Sequence, residues 1–189
     1  MTEHPAAGVT LETERLTLRL FREADLDAYA EMSGDAEVMR YLGNGQPMTR
    51  AEAWRSMAVM VGHWRLRGYG LWAVEERASG AMVGRIGCWN PEGWPGLEVG
   101  WTLRRRYWGR GFATEGARAA LHYAFTRLGC RHVISLIRPA NAASIRVAER
   151  LGERLEGRTE VNDHEAVVYG ITREDWEKLD PTGGLSSGR

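Results

Sequence analysis

The stretch L-E-V-G-W-T-L-R-R-R-Y-W-G-R-G-F-A-T-E-G-A-R-A-A-L-H-Y-A-F-T-R-L, residues 97–128, decides how the rest of the chain is read. Leu97, Val99, Trp101 and Leu103 alternate with Glu98, Gly100 and Thr102, the period of a strand with one face buried. Ala113, Ala117, Ala120, Leu121, Ala124, Phe125 and Leu128 then recur in steps of three and four, which places them on one face of a helix. Between the two lies a basic, glycine-bearing turn. This order sets Gly109 and Gly111 just ahead of the first helical turn, where about four backbone N–H groups have no intrahelical partner. Without a Cβ at either glycine a ligand can approach that backbone closely, and the helix dipole adds its field to the free donors. Arg104, Arg105, Arg106 and Arg110 crowd the same turn. Together these features predict a site for a phosphate or pyrophosphate. It is not a P-loop, since no lysine follows either glycine, and not a dinucleotide fingerprint, since the third glycine position is Thr114.

Outward from this stretch the chain alternates strands and helices. Leu16, Leu18 and Leu20 alternate with Arg15, Thr17 and Arg19 as a half-buried strand. Residues 24–32 and 35–42 read as short helical pieces. Thr49 and Glu52 form a capping box ahead of Ala53, Trp54, Met57, Val61 and Trp64 at helical spacing. Residues 71–76 and 81–89 read as a hairpin, and 133–137 as a short strand. Asn141 can cap a helix with Ile145, Val147, Ala148 and Leu151 on its apolar face, and residues 153–161 and 166–172 form a closing hairpin. The expected fold is α/β: one twisted, mostly antiparallel sheet of about seven strands with helices on both faces. A single domain is expected over residues 11–180, with a loose tail at 1–10 and disorder at 181–189.

Composition narrows the function. Of 189 residues, 25 are Lys or Arg and 25 Asp or Glu, so no overall field recruits nucleic acid or an acidic membrane, and the basic cluster reads as a local ligand site. Cys88 and Cys130 lack paired spacing or neighbouring ligands, which argues against a disulfide framework and a metal site and for thiols in a reducing cytosol. The first ten residues have no apolar core of a signal peptide and no apolar run reaches spanning length, so a cytoplasmic protein is expected, as a monomer or homodimer.

The string R-Y-W-G-R-G-F-A, residues 106–113, resembles the R/Q-x-x-G-x-G/A signature of the GNAT superfamily of acetyl-CoA-dependent N-acyltransferases. Two further stretches fall where that family places them. Residues 141–152 resemble its N-x-x-[SA]-x-x-x-x-x-x-x-G element, and T-E-R-L-T-L-R (13–19), E-V-G-W and Y-W-G-R-G-F-A-T-E resemble the subfamily that acetylates the N-termini of ribosomal proteins. The likeness spans residues 11–176. It implies acetyl-CoA as cosubstrate, no metal, and a gap between the strands at 97–103 and 133–137 that takes the pantetheine arm. Trp101, Thr102 and Leu103 would offer backbone groups to that arm. Arg106 and the amides of Gly109, Arg110, Gly111, Phe112 and Ala113 would hold the pyrophosphate, and Asn141 would contact the arm near the sulfur. Two departures stand out: the tyrosine that many members carry four residues after Ser144 is Ala148, and the aromatic after the helix-ending glycine is Glu153, read as a packing change.

Alternation places Glu98 opposite Leu97, Val99 and Trp101, which makes it the candidate base for the incoming amine. The other reading is an exposed glutamate paired with an arginine. Asp163, His164 and Glu165 on the closing hairpin rank lower, because polar turn residues are usually just solvated. Ser144 is the candidate hydrogen-bond donor to the leaving sulfur, or else a helix cap. Neither cysteine sits in a motif for a covalent acyl-enzyme, which favours direct transfer. The expected acceptor is a primary amine, a protein or peptide N-terminal α-amine first and a small-molecule amine second. A non-catalytic acyl-CoA-binding module and a nucleic-acid binder are the competing classes.

Overall fold

A computed structural model describes residues 9–179; the expectations for the two tails lie outside the described residues, apart from Val9 and Thr10. The elements in order are β1 (Leu11–Glu12), β2 (Leu16–Arg19), α1 (Leu26–Ser33), α2 (Ala36–Met39), α3 (Arg50–Arg67), β3 (Leu71–Glu76), β4 (Ala81–Trp89), β5 (Glu98–Leu103), α4 (Phe112–Thr126), β6 (His132–Ile137), α5 (Ala142–Leu151), β7 (Arg154–Val161), β8 (His164–Thr172) and α6 (Arg173–Leu179). They form one sheet of eight strands in the order β1-β2-β3-β4-β5-β6-β8-β7. Every neighbouring pair is antiparallel except β5 with β6. The eighth strand is β1, a two-residue arm that a bend at Glu14 and Arg15 separates from β2. No helix among the described residues is long and apolar enough to cross a membrane.

Helices cover both faces, as the periodicity predicts. On one face Ala117, Ala120, Leu121, Ala124 and Phe125 of α4 pack on Leu16, Leu18, Trp72, Val74, Ile86 and Val99. Close approach depends on Gly116, where an added Cβ would lie 2.5 Å from Ile86 Cδ1. On the other face Tyr29 and Met32 of α1 and Ala53, Met57 and Met60 of α3 cover Leu71, Ala73 and Met82. The expected capping box starts α3: Thr49 Oγ1 accepts from Glu52 N, and Glu52 Oε2 accepts from Thr49 N at 2.8 Å. The helix expected over 35–42 closes after Met39, with Asp35 as its cap.

One buried polar cluster ties the first helix to the sheet. Arg19, 7% exposed, donates to both oxygens of Asp25 at 2.7 and 2.8 Å and to Glu75 at 2.9 Å. The guanidinium gains more from these partners than it loses to burial, so its affinity for the proton rises.

The sheet parts at its middle. Strands β5 and β6 share one register pair, Glu98 with Ile134, where Ile134 N donates to Leu97 O at 2.9 Å. Beyond that rung two side-chain contacts cross among the described residues: the Ser135 hydroxyl donates to Val99 O at 2.8 Å, and the Leu136 amide donates to the Glu98 carboxyl. The gap expected between the two strands is there.

Candidate active site

A cleft of about 1050 Å³ lies along the open end of this gap, large enough for an extended ligand. Its walls come from α4 and α5 on one side and from residues 37–42 on the other. Leaving β5, the chain makes a short turn at Arg105–Tyr107 and then passes through two left-handed glycines, Gly109 (φ 74°) and Gly111 (φ 82°). An added Cβ at Gly109 would meet nothing within 4 Å, so the glycine is needed for backbone conformation and not for space. Gly111 is the N-cap of α4 and supplies no side-chain acceptor. No group of the described chain accepts from the amides of Gly109, Arg110, Gly111, Phe112 and Ala113. The helix therefore begins with its donors free, which is an anion site.

The arginines of the turn do not gather there. Arg104 is 5% exposed and faces inward, donating to Met82 O at 2.9 Å and pairing with Glu31. Arg105 pairs with Asp35 at 2.9 Å, Arg106 lies 3.7 Å from Glu31 and over the Tyr107 ring, and Arg110 pairs with Glu76 at 3.1 Å. Arg106, expected on the pyrophosphate, thus stands beside Glu31 of α1 and outside the cleft lining. The cations that do line the cleft are Arg40, Arg118, Arg146 and Arg150. Sequence reading passed over them because single arginines in a helical pattern read as solvated surface. Their one signal was spacing: Arg146 and Arg150 stand four apart, so one face of α5 carries both.

Arg15 was also missed, and it braces the loop. Its Nη1 donates to Arg110 O at 3.0 Å, its guanidinium lies over the Phe112 ring, and its Nε donates to Glu115 Oε2 at 2.7 Å. Burial disfavours the charge on Glu115, but hydrogen bonds from Thr13 and Arg15 outweigh it and hold that carboxyl below its ordinary range.

Trp101, Thr102 and Leu103 border the cleft, but their main chains do not all face the gap. Leu97 O and Val99 O accept across the gap from β6, whereas Arg104 N donates to Val83 O on β4. By alternation Trp101 and Leu103 turn their main chain toward the gap, and Thr102 turns toward β4. Leu103 O is already taken by Trp108 Nε1 at 2.8 Å. Trp101 therefore keeps both backbone groups available.

At the head of α5, Asn141 is the cap: its Oδ1 accepts from Ser144 N at 3.2 Å. Ser144 is thus relieved of the capping role, and both residues line the cleft. Ala148 is buried against Ile137, Val167 and Tyr169.

Glu98 stands at the closed end of the gap, on the sheet face opposite Val99. It is partly buried, and its partner is an indole, Trp94 Nε1 donating to Oε2 at 2.8 Å. No arginine pairs with it among the described ion pairs, so the exposed, paired reading gives way. Burial pushes its carboxyl up to about 7, against the opposing pull of the Trp94 hydrogen bond, the Leu136 amide and the charge of Arg85. Glu165, the lower-ranked candidate, pairs with Arg158 on the exposed hairpin; like Asp163, His164 and Glu98 itself it is not in the cleft wall, and Glu98 differs from these three in standing on β5 at the gap.

Glu153 is not a simple packing change. It is 3% exposed, and Ser135 Oγ lies 3.1 Å from its Oε1. Burial pushes this carboxyl up to about 8; the Ser135 hydrogen bond opposes the rise, and the charges of Glu98 and Glu156 add to it. Cys88 is fully buried and half-buried Cys130 is also raised by desolvation, so both stay thiols at neutral pH.

Residues 15–154 match the family described as "Acetyltransferase (GNAT) domain". The chain is 31% identical over 150 residues to p20 of Bacillus licheniformis, named an uncharacterized N-acetyltransferase, covering 78% of this chain and 84% of that one. It is 30% identical over 199 residues to the FsC-acetyl coenzyme A-N(2)-transacetylase of Aspergillus fumigatus, covering 92% and 80%. Among solved structures, an acetyltransferase from Agrobacterium tumefaciens superposes with a TM-score of 0.78 at 32% identity, over 87% of this chain and 95% of that one. With the free amides at the head of α4 and the parted strands beside them, this chain belongs to the GNAT family of acetyl-CoA-dependent N-acetyltransferases.

Proposed function

We propose that the protein transfers acetyl from acetyl-CoA directly to a neutral primary amine, foremost the α-amine of a protein or peptide N-terminus. The observation that carries the acceptor is Glu98, a partly buried carboxyl raised to about 7 at the closed end of the gap. An α-ammonium releases its proton near pH 7.7–8.0, about one unit above that base, whereas a lysine side chain near 10.4 lies about three units away. Glu98 is therefore matched to the weaker amine.

The residues fit the cosubstrate. Free amides on the Gly109 loop suit a diphosphate, the gap suits an extended amide-bearing arm, and Arg118, Arg146 and Arg150 suit further anionic groups on the cleft wall. When bound, acetyl-CoA supplies an acyl group activated as a thioester. Trp101 offers its backbone N–H toward the gap, where a carbonyl oxygen gains charge under attack. Glu98 takes the proton from the amine as the C–N bond forms. Ser144 donates a hydrogen bond to the sulfur as the C–S bond breaks and the electron pair settles there. The two thiols have no part, which favours direct transfer.

Ser144→Ala is expected to lower kcat by about tenfold while leaving CoA affinity within about twofold, because the hydroxyl acts on charge that grows only during transfer. Steady-state rates with calorimetric CoA binding check this, and unaltered turnover removes Ser144 from the mechanism. Gly111→Val forces a β-branched residue into the left-handed region at the head of α4, a strain of about 1–3 kcal/mol. CoA binding measured by calorimetry should weaken by about tenfold or more.

A small-molecule amine is the second reading, favoured by the name of the Aspergillus relative, an N(2)-transacetylase. One screen decides: CoA thiol release with acetyl-CoA across a panel of N-terminal peptides and small amines. Turnover confined to small amines overturns the peptide assignment. Binding of CoA without thiol release from any acceptor overturns the enzymatic reading in favour of a binding module.

A further inference from the structure

We infer that Glu153 is a positioning residue of this site: it is held as a neutral carboxylic acid under the floor of the gap, and its ionisation shuts transfer down. The inference rests on the proposed function, with Glu98 as base.

Hydrogen-bond accounting carries it. The Ser135 hydroxyl owns one proton and has two oxygen neighbours, Val99 O at 2.8 Å and Glu153 Oε1 at 3.1 Å. A peptide carbonyl and an ionised carboxylate can each only accept, so one hydroxyl proton cannot serve both; with that proton on Val99, the shorter contact, the second contact is a hydrogen bond when Glu153 carries a proton and donates it to Ser135 Oγ. The second oxygen, Oε2, is buried with no partner among the described residues, an arrangement far costlier for an anion than for a neutral acid.

The surroundings agree. Glu153 forms no ion pair among the described residues, and the charges that act on it are both negative: Glu98 from β5, and Glu156 from β7, which His132 of β6 binds at 2.8 Å. Tyr169 of β8 stands opposite Ser135 in the register. From α5 come the apolar Ala148 and Leu151, and Arg154, next in the chain, is exposed.

The pair occupies a sensitive place. Beyond the single rung, Ser135 to Val99 is the described crossing that engages a main-chain carbonyl of β5, and the next main chain to face the gap is that of Trp101. If Glu153 ionises, Ser135 turns its proton to the carboxylate and Val99 O loses its donor. A negative charge then stands behind the position where the acyl oxygen gains charge, and transfer slows. Burial raises both carboxyls, and the negative charge of Glu98 raises Glu153 further, so Glu98 ionises first and Glu153 after it. Activity therefore rises through the first ionisation, as the base loses its proton, and falls through the second.

Glu153→Gln keeps a donor to Ser135 but cannot ionise. The kcat ratio of the variant to wild type on one acceptor, in which the titration of the amine itself cancels, should rise by about tenfold between about pH 7 and about pH 9. A flat ratio with an active wild type overturns the inference. A wild type that transfers to no acceptor overturns the proposed function instead, and a ligand-free measurement then tests Glu153 alone. Infrared spectra of Glu98→Gln should show a protonated carboxyl band at about pH 6, where ordinary carboxyls are already ionised. Its absence overturns the inference, whether or not Glu153→Gln folds.

Discussion

Glu98→Gln is expected to lower kcat by about 10²–10⁴ and to erase the rise of kcat across neutral pH. Glutamine nearly matches the glutamate in shape and can still accept from Trp94, so packing around Trp89 and Trp94 is conserved while proton acceptance is lost. The sign follows from the shift. Glu98 is raised to about 7, so below that value wild type carries a proton on its base and is slow, and above it the carboxylate is free to act. The variant has no such group, and its profile should be flat where wild type climbs. Affinity for CoA should hold, because the free amides of the Gly109 loop lie on a different element. A variant profile that still climbs through about 7 would assign the limb to another group and dismiss Glu98 as base.

Arg19→Met should cost about 3–5 kcal/mol of stability, the range for removing one member of a buried ion pair. The loss comes less from the bonds broken than from what remains. Asp25, 4% exposed, would keep both oxygens buried with only the Arg22 amide donating to them at 2.8 Å. Glu75 has more access to water and should tolerate the loss better. Thermal melting should fall by about 10 °C. The double variant Arg19→Met with Asp25→Leu should recover part of this, because two apolar side chains leave no stranded charge. A double variant no more stable than the single one would show that the cluster acts through geometry and not through its charges.

The framework of this fold was legible because its two periods are sharply written. The residues at 97–103 alternate strictly and those from Ala113 onward step by three and four, so strand, loop and helix could each be placed. Errors lie where local signals are faint. β1 is two residues long, below what periodicity can register, and α4 stops at Thr126 although the apolar pattern runs on to Leu128. In the site, Gly109 and Gly111 were readable because left-handed backbone is a local property. The arginines were not, since the direction a guanidinium takes is set by distant carboxylates: Glu31 stands 73 positions before the Arg104 that it holds. Glu98 was placed by alternation, but its acidity depends on Trp94 and on burial that only the folded sheet supplies. Glu153 was the least visible. Standing where the family carries an aromatic, it reads as a packing change, and nothing local shows that the chain, entering β7 at that point, carries a carboxyl beneath Ser135.

Eight strands bonded edge to edge would ordinarily behave as one elastic plate. This plate is scored along a line between β5 and β6, where one rung and two side-chain contacts stand in for a full ladder. A guest lying along the score supplies donors and acceptors that the polypeptide lacks, and mass action returns the benefit to the fold: about 2.7 kcal/mol when the guest stands at a hundred times its dissociation constant. The folded chain alone is thus an unfinished object, and its cosubstrate belongs to the architecture as much as to the reaction.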